Sequence, residues 1–508
     1  MSKLHTNILK LFLIPLFLLS TTVIALDTAE NQIIKAVING EDKVKTGKTI
    51  ELSAKDSFLG SENAITKYEW DFGDGSKGEG INIAHTYESP GIYQISLKIK
   101  NKSQSETIEK EIFVYNKQIL LISDSKSLQG KLSFIEEYAK TENTFVNLIE
   151  SFNSATDFIS QEVLLKKFSL ENEKITSSSD IIIWTGESAG INALNRHLQI
   201  NPNHKEKFSE KNVIIIGDIK AMDKQRLSNY FKTISPKKLL VTKESAIYPI
   251  LDNKEDIKES LIDNGIEFVE IEKDTGSVKI WNIMSYGVNK LIEKGIPESA
   301  IVLILLFPLI ISFLIFLRQI IGIIFPNVLF PALITLAFLV IGLYAGIVIV
   351  LLSAFTIYTT KKLLKNTGML YTTKTGIVLI LLSFQMLFLL VINNFLELFN
   401  NDFFSIAIMP AMFLATITEQ IIKTEIGLKK TIKSLMNLMV ICTSIYLLLG
   451  GQISIFSYSF QFTGIKEFTQ IHPEIVPILL VFNFLIGKWT GLRLLERIRF
   501  RNLLKTLD

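Results

Sequence analysis

The chain has little of what would mark a reactive site. It has one cysteine in 508 residues, Cys442, so no disulfide can form within it. Cys442 lies in an apolar run and reads as a small core or lipid-facing residue. The region before the apolar half must therefore hold together by packing alone, which its length allows. The five histidines show no metal-ligand spacing. Neither G-x-G-x-x-G nor G-x-x-x-x-G-K-[ST] occurs, so dinucleotide and triphosphate loops have no sequence support. Acidic residues are scarce towards the C-terminus. From Ser299 to Asp508 there are 8 Asp+Glu against 16 Lys+Arg, whereas Leu26 to Glu298 carries 42 against 35. This split excludes a single soluble globule, a disordered chain and a nucleic-acid binder with one basic face.

What is present begins with Lys3 and Lys10, an apolar stretch from Leu11 to Ile24, and the small-residue end Val23-Ile24-Ala25. That order is the pattern of a secretory signal. We expect residues 1–25 to be a signal peptide cleaved after Ala25, or an uncleaved anchor with the same orientation.

Residues 31–116 alternate with a period of two. Tyr93, Ile95, Leu97 and Ile99 alternate with polar residues, as do Tyr68, Trp70 and Phe72, and Asp74-Gly75 and Pro90-Gly91 supply turns. The pattern predicts a small antiparallel sandwich. The series Trp70-Asp71-Phe72-Gly73-Asp74-Gly75, His85-Thr86-Tyr87 and Pro90-Gly91-Ile92-Tyr93 resembles the PKD (polycystic kidney disease) domain. The resemblance implies an immunoglobulin-like fold and an extracellular adhesion or spacer module. Asp71, Asp74 and His85 read as turn and strand-end residues that satisfy backbone donors, not as metal ligands.

Residues 117–275 change pattern. Apolar runs at Gln118–Ser123, Asp180–Thr185, Asn212–Gly217, Leu239–Val241 and Phe268–Ile271 alternate with helix-like stretches. This predicts an α/β domain with a parallel sheet covered on both faces. Its ligand rim would be the strand ends Asp124-Ser125, Gly186-Glu187-Ser188 and Gly217-Asp218. Gly186-Glu187-Ser188-Ala189-Gly190 fits G-x-S-x-G, the serine motif of carboxylesterases. Asp218 could serve as the acid, but His197 and His204 precede it and the next histidine is His472. Without a base Ser188 is an ordinary hydroxyl, so we expect a strand-to-helix turn and no catalytic residue.

Residues 276–298 read as a linker helix, 299–500 as seven apolar spans, and 501–508 as a tail. The expected spans are Ser299–Leu317, Ile323–Ile341, Ala345–Tyr358, Thr375–Phe395, Ser405–Ile422, Ile432–Leu449 and Ile475–Leu494. Arg318, Lys361, Lys362, Lys365, Lys374, Lys423, Lys429, Lys430, Lys433 and the basic C-terminal stretch fall on one side. Only Lys466 falls in the opposite loops. The positive-inside bias puts the C-terminus in the cytoplasm and the N-terminal domains outside. Arg318-Gln319-Ile320-Ile321-Gly322, Phe330-Pro331-Ala332-Leu333-Ile334, Ile408-Met409-Pro410 and Trp489-Thr490-Gly491-Leu492-Arg493 resemble the bacterial seven-helix domain usually fused to an inactive transglutaminase-like domain. The chain departs from the usual arrangement, because a PKD and an α/β domain stand in the transglutaminase's place.

Charge inside a span is costly, so it has a partner or a task. Arg318, Glu419 and Arg493 form a candidate cluster at the inner leaflet, in which Glu419 pairs with Arg493 or Arg318 and fixes helix packing. The fold class is thus a multidomain membrane protein: immunoglobulin-like sandwich, α/β parallel-sheet domain and seven-helix bundle. The expected function is non-enzymatic: binding of a cell-envelope polymer or protein outside the cell, with the bundle anchoring or signalling. The alternative is an accessory subunit of an envelope enzyme or transport system. No cofactor and no nucleic acid is expected, and the lipid bilayer is an expected partner.

Overall fold

Nine short strands account for the first folded unit of the computed structural model, which describes residues 34–499 apart from breaks, the longest at 60–66, 218–223, 273–282, 397–408 and 420–427. The expected signal segment lies outside the described residues. The strands are β1 (Ile34–Lys35), β2 (Lys43–Lys45), β3 (Thr49–Ser53), β4 (Phe58–Leu59), β5 (Lys67–Asp71), β6 (Lys77–Glu79), β7 (Asn82–Thr86), β8 (Gly91–Lys100) and β9 (Ser105–Tyr115). One sheet runs β2-β9-β8-β5-β6, and β3 pairs with β7. β2 joins β9 in parallel, which the antiparallel expectation missed because the three-residue edge strand follows no hairpin. Ile95, Leu97 and Ile99, the inward half of the alternation, pack with Trp70, Ile50 and Leu52.

The second unit starts at Asn116. A six-stranded sheet is built from β10 (Lys117–Ser123), β11 (Thr144–Glu150), β12 (Asp180–Trp184), β13 (Asn212–Ile216), β14 (Lys238–Thr242) and β15 (Phe268–Glu270), in the order β11-β10-β12-β13-β14-β15. Every pairing is parallel except β14 with β15, which is antiparallel. β12 is buried along its whole length, as expected for a strand covered on both faces. The sequence reading had no β11. Asn147 breaks its apolar run, and the strand lies at the sheet edge.

Helices α1 (Leu132–Thr141), α2 (Asp157–Leu170), α3 (Ala189–Ile200), α4 (Lys224–Ile234), α5 (Ile257–Asp263) and α6 (Ile283–Glu293) flank this sheet. α1 and α5 bury Ile135 and Leu261 on one face. α2, α3 and α4 bury Leu164, Leu194 and Leu227 on the other. That second core also takes in Ile301 and Leu305, which belong to the first membrane helix.

The membrane helices are α7 (Glu298–Phe316), α8 (Leu329–Ile341), α9 (Leu343–Leu363), α10 (Tyr371–Leu396), α11 (409–419), α12 (Leu428–Leu448), the short α13 (Gly464–Ile471) and α14 (Ile475–Gly487). Among the described residues, three stretches are long and apolar enough to cross a membrane alone: Glu298–Ile321, Leu343–Leu363 and Thr372–Leu389. α13 and α14 would add a fourth as one span bent by 112°. The expected second span, Ile323–Ile341, is shorter than read because Gly322 turns left-handed at φ 95° and the helix restarts at Leu329. The expected third span is longer, running back to the break at Gly342, where φ is 93°. A positive φ suits glycine, so the chain turns from α8 into α9 within one residue. Glycine also serves close packing in α9, where a Cβ on Gly346 would press into the Phe338 ring of α8.

Candidate functional site between the α/β domain and the membrane helices

The face of the α/β domain carrying α2, α3 and α4 meets the ends of the membrane helices through a polar seam. Glu298, the first residue of α7, is 4% exposed and forms an ion pair with Arg226 of α4. The Arg226 Nη2 group donates to the Gln470 carbonyl of α13 at 2.8 Å. The Tyr230 hydroxyl lies 2.7 Å from Glu298 Oε2 and also meets the Asn192 side chain. One residue on, Ser299 Oγ donates to Gln161 Oε1 of α2 at 2.7 Å. A buried ion pair is stabilising only with further hydrogen bonds to its groups, and Tyr230 and the Gln470 carbonyl supply two of them.

Two more contacts fasten the N-terminus of α2. Thr156 Oγ1 donates to the Val340 carbonyl of α8 at 2.6 Å, and Lys466 of α13 pairs with Asp157. On the α6 side, Ser285 donates to Glu474 from both its backbone N–H and its hydroxyl. Apolar packing continues beneath, where Ile159 and Val163 of α2 share a core with Phe338 and Ile341 of α8.

Between these contacts lies a cavity of about 100 Å³. Thr156, Gln161 and Asn192 line it from the α/β side, and Ser299, Leu303 and Leu306 from α7. Sequence reasoning missed this site, since isolated polar residues on amphipathic helices read as solvated faces. Two signals were present: an acid opening the first span, and Lys466 standing alone among the opposite loops.

The expected rim is only partly described. Ser188 and Asp218 lie outside the described residues. Asp124, at the end of β10, accepts a hydrogen bond from Ala189 N at 2.9 Å. A carboxylate of the protein thus occupies the anion-favouring N-terminus of α3, at the switch point between β10 and β12. His197 is 1% exposed, stacked 5.8 Å from His204, and burial followed by that neighbour's charge lowers its pKa to about 4.

The candidate inner cluster does not assemble as ion pairs among the described residues. Arg493 Nη1 lies 3.8 Å from Glu496, and the Arg318 guanidinium stands 5.9 Å from the Phe325 ring centre. Glu419 is 1% exposed, and neither carboxylate oxygen has a hydrogen-bond partner among the described residues. Arg318 and Arg493 do share one end of the bundle, since a Cβ on Gly322 would touch Arg493. Two other intramembrane polar residues join helices: Gln385 bonds Thr356 across α10 and α9, and Asn483 bonds Ser312 across α14 and α7.

In the first unit, Asp71 accepts from Gly73 N and Asp74 from Ser76 N. His85 stacks on Phe72 at 4.0 Å and bonds Asp74 at 2.7 Å. These residues close a turn, and no group of three or more metal-ligating side chains occurs among the described residues.

A sandwich module, an α/β module and apolar helices in one chain define a membrane protein with a PKD domain, and the PKD domain model matches residues 34–114. The chain belongs to the family described as seven transmembrane helices usually fused to an inactive transglutaminase, matched over residues 250–504. Collagenase ColQ1 of Bacillus cereus (strain Q1) is 34% identical over 88 residues, covering 16% of this chain and 9% of the collagenase. Collagenase ColA of Clostridium perfringens (strain 13 / Type A) is 31% identical over 102 residues, covering 20% and 9%. The chain thus matches only a small part of each relative. Among solved structures, the PKD1 domain of the Vibrio cholerae metalloprotease PrtV is 22% identical, with a TM-score of 0.14, and the match covers 16% of this chain and 93% of that one.

Proposed function

We propose that the protein is a non-enzymatic envelope receptor. Its PKD and α/β domains bind a cell-envelope polymer or protein outside the cell, and the seam passes that event to the helices. The observation that carries this reading is the buried Arg226–Glu298 pair with Tyr230, which ties an α/β helix to the first residue of the first span. Movement of α4 on binding cannot leave Glu298 in place without uncovering a charge, a cost of several kcal/mol. The orientation is supported by the seam itself. It gathers the start of α7, the end of α8 and the α12–α14 connection, the ends that charge bias assigns to the outside.

The test uses the full-length protein in nanodiscs as bait for cell-wall fragments and envelope extract, with hydrogen exchange read in α7 and α14. Binding that alters exchange in the wild type, but not in the R226M/E298L double variant, is the expected result. Binding with unchanged exchange in both would reduce the bundle to an anchor. Glu419, buried and without a hydrogen-bond partner among the described residues, favours a second reading, an accessory subunit of a transport system with an ion-relay site in the bundle.

A further inference from the structure

The cavity in the seam has two unlike walls. Its upper wall is polar: Gln161 is 2% exposed and Asn192 8%, with Ser299 between the domains. Asp157, Lys466 and Glu298 also line it, and each is paired within the protein, Asp157 with Lys466 and Glu298 with Arg226. The wall therefore offers hydrogen bonds but no uncompensated charge to a ligand. The lower wall is apolar, made of Val302, Leu303, Leu306 and Leu339.

Depth gives these walls a meaning. The first membrane helix begins at Glu298, so at 1.5 Å per residue the stretch from Val302 to Leu306 lies about 6 to 12 Å further along it. The change from polar to apolar runs in the same sense as the change from headgroup to hydrocarbon along a membrane helix. A cavity of about 100 Å³ has room for several water-sized groups, since each needs roughly 10 to 15 Å³.

We infer that this cavity binds an uncharged glycerol-type amphiphile, with the polyol against Gln161, Asn192 and Ser299 and the first methylenes against Leu303 and Leu306. A charged headgroup would enter without a counter-ion and lose its hydration. The inference goes beyond the receptor reading, because the ligand sits at the seam and not on the outer domains. It would stand even if no wall ligand were found. The polyol could come from a monoacylglycerol in the membrane or from free glycerol.

The native Cys442 is fully buried, so wild-type protein is the labelling background for a Ser299→Cys variant. Alkylation of the new thiol by N-ethylmaleimide is timed in nanodiscs with 1-monooleoylglycerol, with oleate, or with glycerol in solution. Protection of about tenfold at ten times the dissociation constant is expected from monooleoylglycerol. Protection by monooleoylglycerol alone assigns the source to the membrane, and equal protection by glycerol assigns it to the solvent. No protection by either, or equal protection by oleate, overturns the proposal. In unmutated protein, a monoacylglycerol with a diazirine near its head should cross-link within 156–161 or 298–306. Cross-links confined to outward-facing residues such as Leu351 and Phe355 would refute it.

Discussion

Lys466 and Asp157 stand 309 positions apart and form one ion pair, Nζ to Oδ2 at 2.5 Å. Lys466 is also the one lysine in the loops that the charge bias assigns to the outside. Its partner explains the exception, because the α/β domain supplies the counter-charge that the loop needs.

The buried pair Arg226–Glu298 yields an asymmetric prediction. Removing the cation in R226A leaves a carboxylate 4% exposed without its partner and should cost about 3 to 5 kcal/mol. The R226M/E298L double variant should recover most of that loss. Thermal unfolding of the full-length protein in detergent, arranged as a double-mutant cycle, measures both. Additive losses would show that the two residues do not act as a pair.

Orientation can be read with single thiols, because Cys442 is fully buried. A membrane-impermeant maleimide applied to intact cells should label E467C, next to the seam, and leave K362C unlabelled until the cells are opened. The reverse pattern would invert the assigned topology.

His197 makes acid sensitivity specific. Its folded-state pKa is lowered to about 4, against about 6.5 in an unfolded chain. Between those values the unfolded state binds more protons, so stability is full above pH 6.5 and declines as pH falls towards 4. The loss attributable to this residue should approach roughly 3 kcal/mol at the lower end. In H197L that part of the profile should flatten. Unfolding midpoints measured from pH 7 to pH 4 in both proteins decide it.

The helix contact at Gly346 predicts intolerance of size. G346L drives a side chain into the Phe338 ring and should cost about 1 to 3 kcal/mol by overpacking. G346L paired with F338A should be milder than G346L alone if the two residues share that space. Unfolding in a denaturing detergent series compares them.

Legibility in the sequence followed the range of each interaction. The sandwich strands announced themselves because one face is wet, so Tyr93 to Ile99 alternate in composition as well as in burial. The continuous apolar runs of β10, β12 and β13 were equally plain. β11 was not, since Asn147 lies 7% exposed within an edge strand and makes its run look like loop. Helix ends in the membrane depended on the glycine breaks at Gly322 and Gly342, which hydropathy averages away. The seam was hidden because Gln161, Asn192 and Arg226 have no sequence neighbour that marks them. Their partners lie about 40 to 240 residues distant.

Ile301 and Leu305 complete the core of a domain made before them. The ribosome finishes β10 to β15 while that apolar face still lacks two of its side chains, which arrive only with the first hydrophobic helix. Cutting the chain at Pro297 would therefore yield a module with an unfinished underside and a strong tendency to clump. Maturation of the α/β module and lodging of that helix in the bilayer become a single event, and a chain stalled between them would be a natural target for quality-control proteases.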